Sequence, residues 1–374
     1  MTNTANTLPR ERFLAPLIAR GFTVADPAIL QPARLMLDAL GDDLGRRLFM
    51  TSDAAGAEFC LRPDMTAPIC IEHVATGAEG REARYCYWGK VFRWPETEEP
   101  AELIQAGVEL LGHADRVAAD VEVFEHAVAT ARAAGPSPGG VRVNDLGLFE
   151  AIVGALPLSP AWRARLLRAY GNGTLDIATI DRLALPPGFR FDPGTARALE
   201  GLGRAPARAL VADLLAMAGQ ATIAGRAAAD IAERVVDQMA ESLDEGVPPA
   251  AKALLAAVLA VAGPLAEAPK RLADAIGDLA ARPGVDEALE TFARRADAIA
   301  RSTAIGLDPV FDIRLAARLD YYTGFYFEVP AGGSAQPGAR GGRYDRLMTR
   351  FGAAEPIPAV GFSAYLGNLA GAVR

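Results

Sequence analysis

Histidine and cysteine, the residues that most often build metal and redox centres, are scarce here, with three of each in 374 residues. Cys60, Cys70 and Cys86 are odd in number, no two stand at a metal-site or redox-motif spacing, and each lies among apolar neighbours. They read as buried free thiols in a reducing cytoplasm, which sets the expected localisation; no metal and no bound cofactor are expected. A basic excess is missing too: 38 Lys and Arg face 46 Asp and Glu, for a formal net charge of −8. Proteins that grip a nucleic-acid backbone carry a basic balance or a basic stripe, so no nucleic-acid partner is expected. Long apolar runs are absent as well. Ala250–Ala262 falls short of the ~20 residues of a membrane helix and ends at Gly263-Pro264, so no membrane association is expected. Near the start, Phe13–Ala19 is short and interrupted by Pro16, so no signal peptide is expected.

What is present is the composition of a soluble globular protein, 51% hydrophobic and 22% charged, at a length that asks for two or three units. Residues 1–145 mix helices and strands. Arg46–Thr51 and Ala57–Leu61 read as strands about a turn at Asp53–Gly56, and a helix is expected from Thr66 to Thr76. Strands over Ala83–Trp94 and Leu103–Leu111 follow, then a helix over Asp115–Ala134 that Gly135-Pro136 stops. Residues 146–304 are rich in Ala, Leu, Arg, Asp and Glu, with apolar residues at helical spacing, as in Ala207, Leu210, Val211 and Leu214. This middle reads as mostly helical and without site chemistry. Residues 305–374 return to strands. Val310–Ala316 and Tyr322–Val329 read as neighbours, a short helix is expected near Arg343, and a last strand covers Ala359–Ala364 before a final helix. Strands at both ends of the chain around a helical middle point to an α+β fold with one mostly antiparallel sheet flanked by helices.

Four segments carry chemistry. In Leu61-Arg62-Pro63-Asp64-Met65-Thr66-Ala67-Pro68, a carboxylate and a hydroxyl stand at a helix start, where they either accept from an ammonium group or simply cap the helix. Tyr85 to Gly112 holds Arg93, whose guanidinium fork suits a phosphate or carboxylate, and then Gln105 and Glu109. Glu109 alternates with Val108 and Leu110, so it points either into a site or out to solvent. Arg318-Leu319-Asp320-Tyr321-Tyr322-Thr323-Gly324 and Gly338-Ala339-Arg340-Gly341-Gly342-Arg343-Tyr344-Asp345 add a double tyrosine and a glycine-rich turn. Taken singly, these are core aromatics or a weak anion site.

Together the four segments resemble the histidyl-tRNA synthetase family: its L-R-P-E-x-T segment, class II motif 2, the R-G-L-D-Y-Y-T signature and the G-G-G-R-Y-D turn. The resemblance covers the sheet-forming parts at both ends of the chain. It implies a class II aminoacyl-tRNA synthetase-like fold, dimerised through its N-terminal region. It also implies a histidine-like ligand pocket of Asp64, Thr66, Arg93, Gln105, Glu109, Tyr322 and Tyr344. The tyrosines and Glu109 would lie on the imidazole side, the others nearer the amino and carboxyl groups. Arg93 is alternatively a structural partner of Glu109 or Asp64.

The departures matter as much. Where the signature has its catalytic arginine, this chain has Ala317, with Arg318 one place along and so on the other face of a strand. Motif 3 ends G-F-x-x-G-L-E-R in the family, but Gly361-Phe362-Ser363-Ala364-Tyr365-Leu366-Gly367-Asn368 puts Asn368 at its arginine. The motif 2 loop, Pro95-Glu96-Thr97-Glu98-Glu99-Pro100-Ala101-Glu102, is acidic, and no anticodon-binding domain is expected after motif 3. A kept histidine side beside a broken ATP side resembles the regulatory subunits of ATP phosphoribosyltransferase. The resemblance implies no catalytic residue in this chain and a short-form catalytic phosphoribosyltransferase as partner in the first step of histidine biosynthesis. It further implies histidine as effector and a homodimer core inside a hetero-oligomer. Two other readings remain. One is an active histidine-adenylating ligase. The other is a synthetase-like RNA-binding or scaffold protein, against which the acidic balance speaks.

Overall fold

The computed structural model describes residues 8–78, 80–95, 100–134, 140–182, 192–217, 222–223, 226–227, 231–233, 235–236, 246–317, 321–331 and 337–371. Contacts divide the chain into two compact units. The first comprises residues 1–152, 171–173 and 257–374, and the second residues 153–170 and 174–256.

The first unit is built on a nine-stranded sheet. Its strands are β1 (Thr23–Val24), β5 (Ala83–Phe92), β6 (Glu102–Leu111), β7 (Arg142–Asp145), β10 (Ala262–Pro264), β11 (Val310–Asp312), β12 (Phe325–Pro330), β13 (Pro337–Arg343) and β14 (Ala359–Tyr365). The spatial order is β1-β5-β6-β14-β13-β12-β7-β11-β10. Among the described residues, only β1·β5 and β11·β7 are parallel. The sheet is therefore mostly antiparallel and joins segments far apart in sequence, as the strand pattern at the two chain ends implies. A small sheet, β2 (Leu30–Pro32), β4 (Glu58–Leu61) and β3 (Met50–Ser52), lies in the same unit with α2 (Ala33–Gly45). The turn between β3 and β4 forms where it was read. Asp53 Oδ1 accepts from the N–H groups of Ala55 and Ala57 at 2.9 Å, and Gly56 takes φ 84°.

Alternation along the central strands gives the sheet two unlike faces. Val108 and Leu110 of β6, Val360 and Phe362 of β14, and Phe325 and Phe327 of β12 share one face. Phe124 of α4 (Arg116–Ala134) packs there, its ring 5.9 Å from Phe325 and 4.8 Å from Phe327. The other face collects polar residues: Tyr85, Tyr87 and Gly89 on β5; Gln105, Gly107 and Glu109 on β6; Gly361, Ser363 and Tyr365 on β14. The row continues with Arg340 and Gly342 on β13 and with Tyr326 and Glu328 on β12. Helix α3 (Thr66–Ala75) brings Asp64 and Thr66 to this face.

Two expectations change. Val310–Asp312 and Phe325–Pro330 are not neighbours, because β7, delivered from residues 142–145, lies between them and pairs with both. No helix begins at Arg343, which closes β13. The chain turns at Tyr344–Leu347 and makes only a short 3-10 turn at Met348–Phe351.

The second unit is mainly helical, with α6 (Pro160–Gly171), α7 (Ile177–Arg182), α8 (Pro193–Leu202) and α9 (Arg204–Met217), and a two-stranded ladder, Thr222–Ile223 with Arg226–Ala227. Ala207 and Val211 form the buried side of α9. Among the described residues no helix is long and apolar enough to cross a membrane.

Candidate ligand-binding site

The floor of the polar face is buried. Thr66 Oγ1 donates to Glu109 Oε1 at 2.6 Å, and the Tyr344 hydroxyl donates to Glu109 Oε2. Glu109 has no exposed surface, so its strand alternation resolves inward. Burial pushes its carboxyl up to about 8, against the pull of the Thr66 and Tyr344 hydrogen bonds. Room for it comes from Gly361, the facing residue on β14, where a Cβ would lie 1.6 Å from Glu109 Oε2. Beside it, Asp64 Oδ1 accepts from the Ala67 N–H at 3.2 Å, which makes Asp64 a helix cap. Its second oxygen, Oδ2, is buried and has no hydrogen-bond partner. Burial lifts Asp64 to about 6, with Arg93 and the Ala67 N–H pulling the other way. Gln105 Oε1 accepts from the Met65 N–H at 3.2 Å, and its Nε2 is likewise buried without a hydrogen-bond partner.

Two orphaned polar atoms in a well-packed floor are costly, of order 1–3 kcal/mol each, unless something else meets them. Asp64 Oδ2 is an acceptor and Gln105 Nε2 a donor. The arrangement can therefore hold a small ligand carrying both a cationic N–H group and a carbonyl or carboxylate oxygen.

The rim is only half-buried and is made of Arg93, Tyr322, Arg340 and Tyr365. Arg93 Nε donates to Pro63 O at 2.7 Å, and both terminal nitrogens stand 3.4 Å from the Tyr365 hydroxyl. It is thus anchored to the loop that carries Asp64 and leans on Tyr365. Tyr322 stacks obliquely on Tyr321 at 4.8 Å and meets Tyr326 edge-on at 5.1 Å, and Tyr321 meets the Tyr344 ring edge-on at 5.8 Å. Gly342 permits this approach: a Cβ there would fall 3.1 Å from Tyr322 Cδ1 and 2.4 Å from Phe325 O. All seven residues proposed from sequence thus gather on one face, five in the floor and two at the rim. Sequence reading did not assign Tyr365 or Arg340 to the site, although both lie in quoted motifs. Ala317 is buried with Leu315 and Tyr326, and Asn368 Nδ2 donates to Pro337 O at 3.3 Å. Arg318 and Glu96, Glu98 and Glu99 of the acidic loop lie outside the described residues. Among the described residues, no group of three His, Cys, Asp or Glu could hold a metal ion.

The histidyl-tRNA synthetase family model matches residues 3–245 and 206–369. ATP phosphoribosyltransferase regulatory subunits from Chelativorans sp. (strain BNC1) and Rhizobium meliloti (strain 1021) are both 39% identical to this chain. The first match covers 94% of this chain and 93% of the relative, the second 96% and 95%. A solved structure described as an ATP phosphoribosyltransferase regulatory subunit/histidyl-tRNA synthetase from Bacillus halodurans superposes with TM-score 0.68 at 21% identity, covering 97% of this chain and 77% of that one. A histidyl-tRNA synthetase structure from Nostoc sp. PCC 7120 superposes with TM-score 0.59 at 15% identity, covering 96% and 68%. These structures share the α+β class II fold described above. On the sequence matches, the chain belongs to the ATP phosphoribosyltransferase regulatory subunit family, within the broader histidyl-tRNA synthetase family.

Proposed function

We propose that this chain is the non-catalytic subunit that activates a separately encoded short-form ATP phosphoribosyltransferase, in the first step of histidine biosynthesis. We further propose that its synthetase-like pocket binds histidine as the feedback effector. The observation that carries the pocket reading is the pair of orphaned buried atoms, Asp64 Oδ2 and Gln105 Nε2, a matched acceptor and donor for the two ends of an amino acid. Glu109, held between Thr66 and Tyr344, and Tyr322 at the rim would flank the imidazole. The nucleotide side supports the non-catalytic reading: an alanine methyl is buried at Ala317, and Asn368 is turned to a backbone carbonyl. A missing cation beside a polyanionic transition state costs several kcal/mol of its stabilisation, by analogy with the loss of an oxyanion-hole donor. For an inhibitor bound in this pocket to act on the partner, it must bind the active and inhibited assemblies with different affinity.

The test is reconstitution. Co-expression with the short phosphoribosyltransferase of the same genome should give copurification and a gain in its activity, which histidine suppresses. Asp64→Asn keeps the oxygen that caps Ala67 and replaces the orphaned one, so it should preserve activation and weaken histidine inhibition by about tenfold or more. Unchanged inhibition would move the sensor elsewhere. Histidine-dependent ATP–pyrophosphate exchange by the isolated chain would replace the regulatory reading with a ligase.

A further inference from the structure

Tyr365 is the last residue of β14, on the site face, paired in register with Gln105. Its hydroxyl lies 3.4 Å from both terminal nitrogens of Arg93, and the guanidinium centre is 5.4 Å from its ring centroid. The third nitrogen, Nε, is already spent on Pro63 O. A guanidinium grips a phosphate through its fork, with two parallel N–H bonds to two oxygens. Here both arms of the fork converge on one phenol oxygen. A second cation stands close by: Arg340, whose Nε is 3.5 Å from Glu328 Oε1. Glu328 is in turn bonded by Arg142 at 2.6 Å and by the Tyr326 hydroxyl at 2.9 Å. Burial alone would raise the Tyr365 hydroxyl, yet Arg93 and Arg340 together bring it below its ordinary value. Two arginines therefore act on this one oxygen.

We propose that Tyr365 is the residue that closes this pocket to phosphate esters, by occupying the fork of Arg93 with its own hydroxyl and filling the space in front of it with its ring. A ligand carrying a single carboxylate can be held from the floor, by Gln105 Nε2, without displacing Tyr365. A phosphate must take the fork itself. The position adds weight. In the motif quoted above the family pattern has glycine where this chain has Tyr365, so the ring is an addition to the site. The inference rests on reading the pocket as an amino-acid site, and the experiment separates the two.

Purified wild-type chain, Tyr365→Phe and Tyr365→Gly are titrated with AMP, with inorganic phosphate as a smaller probe, by isothermal calorimetry. The wild type should bind neither at millimolar concentration. Tyr365→Phe frees the fork but keeps the ring, and should bind AMP measurably. Tyr365→Gly removes both obstacles and should bind AMP about tenfold more tightly than the phenylalanine variant, the scale of one relieved steric overlap. If the glycine variant fails to fold, the phenylalanine variant decides. Wild type binding AMP as well as the variants, or no gain for either probe in any folded variant, overturns the proposal. Histidine is titrated into the same proteins. Absence of histidine binding beside a gain for AMP retires the amino-acid reading and leaves the gate standing.

Discussion

At the scale of single residues, the floor holds two carboxyl groups in conflict with their surroundings. Glu109, lifted to about 8 by burial, and Asp64, lifted to about 6, keep protons in the folded chain that the unfolded chain has already released. The sign follows from that inequality. The stability these groups contribute is fully present below their unfolded values near 4, and it is lost as pH rises through 6 and then through 8. The melting temperature of the unliganded chain should therefore fall between pH 5 and pH 8.5. Glu109→Gln, which mimics the neutral acid, should flatten the upper half of that slope. A variant with the same slope as the wild type would show that Glu109 ionises without penalty. The floor was legible in sequence because its residues sit in short linear motifs, such as Asp64 and Thr66 flanking a helix start or Gln105 and Glu109 four apart on one strand. Arg340 and Tyr365 were not assigned because their approach to Arg93, which follows directly on β5, depends on four strands, β5, β6, β14 and β13, lying side by side. Nothing in a local window says that β13 and β14 will follow β6.

At the scale of elements, the opposite face of the sheet is fastened by a buried ion network. Asp120 of α4 has no exposed surface and accepts from Arg295 at 2.7 Å and from Arg343 at 2.7 and 3.0 Å. Arg295 lies on α12 (Val285–Arg301) and also reaches Asp145 at the end of β7, and Arg343 also bonds Asp345 at 2.8 Å. Two helices and one strand are thus tied through one carboxylate, and Arg295 adds β7 through Asp145. The same tie sets the residue before Tyr344, and hence the angle at which Tyr344 reaches Glu109. Removing one member of a buried pair leaves uncompensated charge, which typically costs about 3–5 kcal/mol. Asp120→Ala should lower the free energy of urea unfolding by that order, and Asp120→Asn, which keeps an acceptor, by less. A loss under about 1 kcal/mol for the alanine variant would mean that Asp145 and Asp345 suffice to neutralise both arginines. Sequence gave no sign of this network: Asp120 and Arg295 are 175 residues apart, and each reads as an ordinary charged position on a helix. The same distance problem explains the strand misplacement. Val310 and Phe325 look adjacent along the chain, whereas β7, inserted from residues 142–145, separates them.

At the scale of the whole molecule, one region of the first unit is unfinished as a surface. Ile29 and Leu30 are each 47% exposed, Leu37 is 44% exposed and Met50 48%, all within the small sheet, its approach and α2. Several large apolar side chains left in water within so short a stretch mark a place where another surface packs. A second copy of this chain is the occupant proposed by the family resemblance, which implies dimerisation through the N-terminal region, where the segment from residue 29 to residue 50 lies. The wild-type chain alone should then run in light scattering at twice its 39.3 kDa mass. Leu30→Asp combined with Leu37→Asp places two charges where a packed interface would have to desolvate them, so the variant should run at the single-chain mass while keeping its circular dichroism. A monomeric wild type, or a dimer that survives both aspartates, would move the self-association to another face. The exposed residues of this stretch would then be free for the catalytic partner, and the same double variant would lose copurification with the phosphoribosyltransferase.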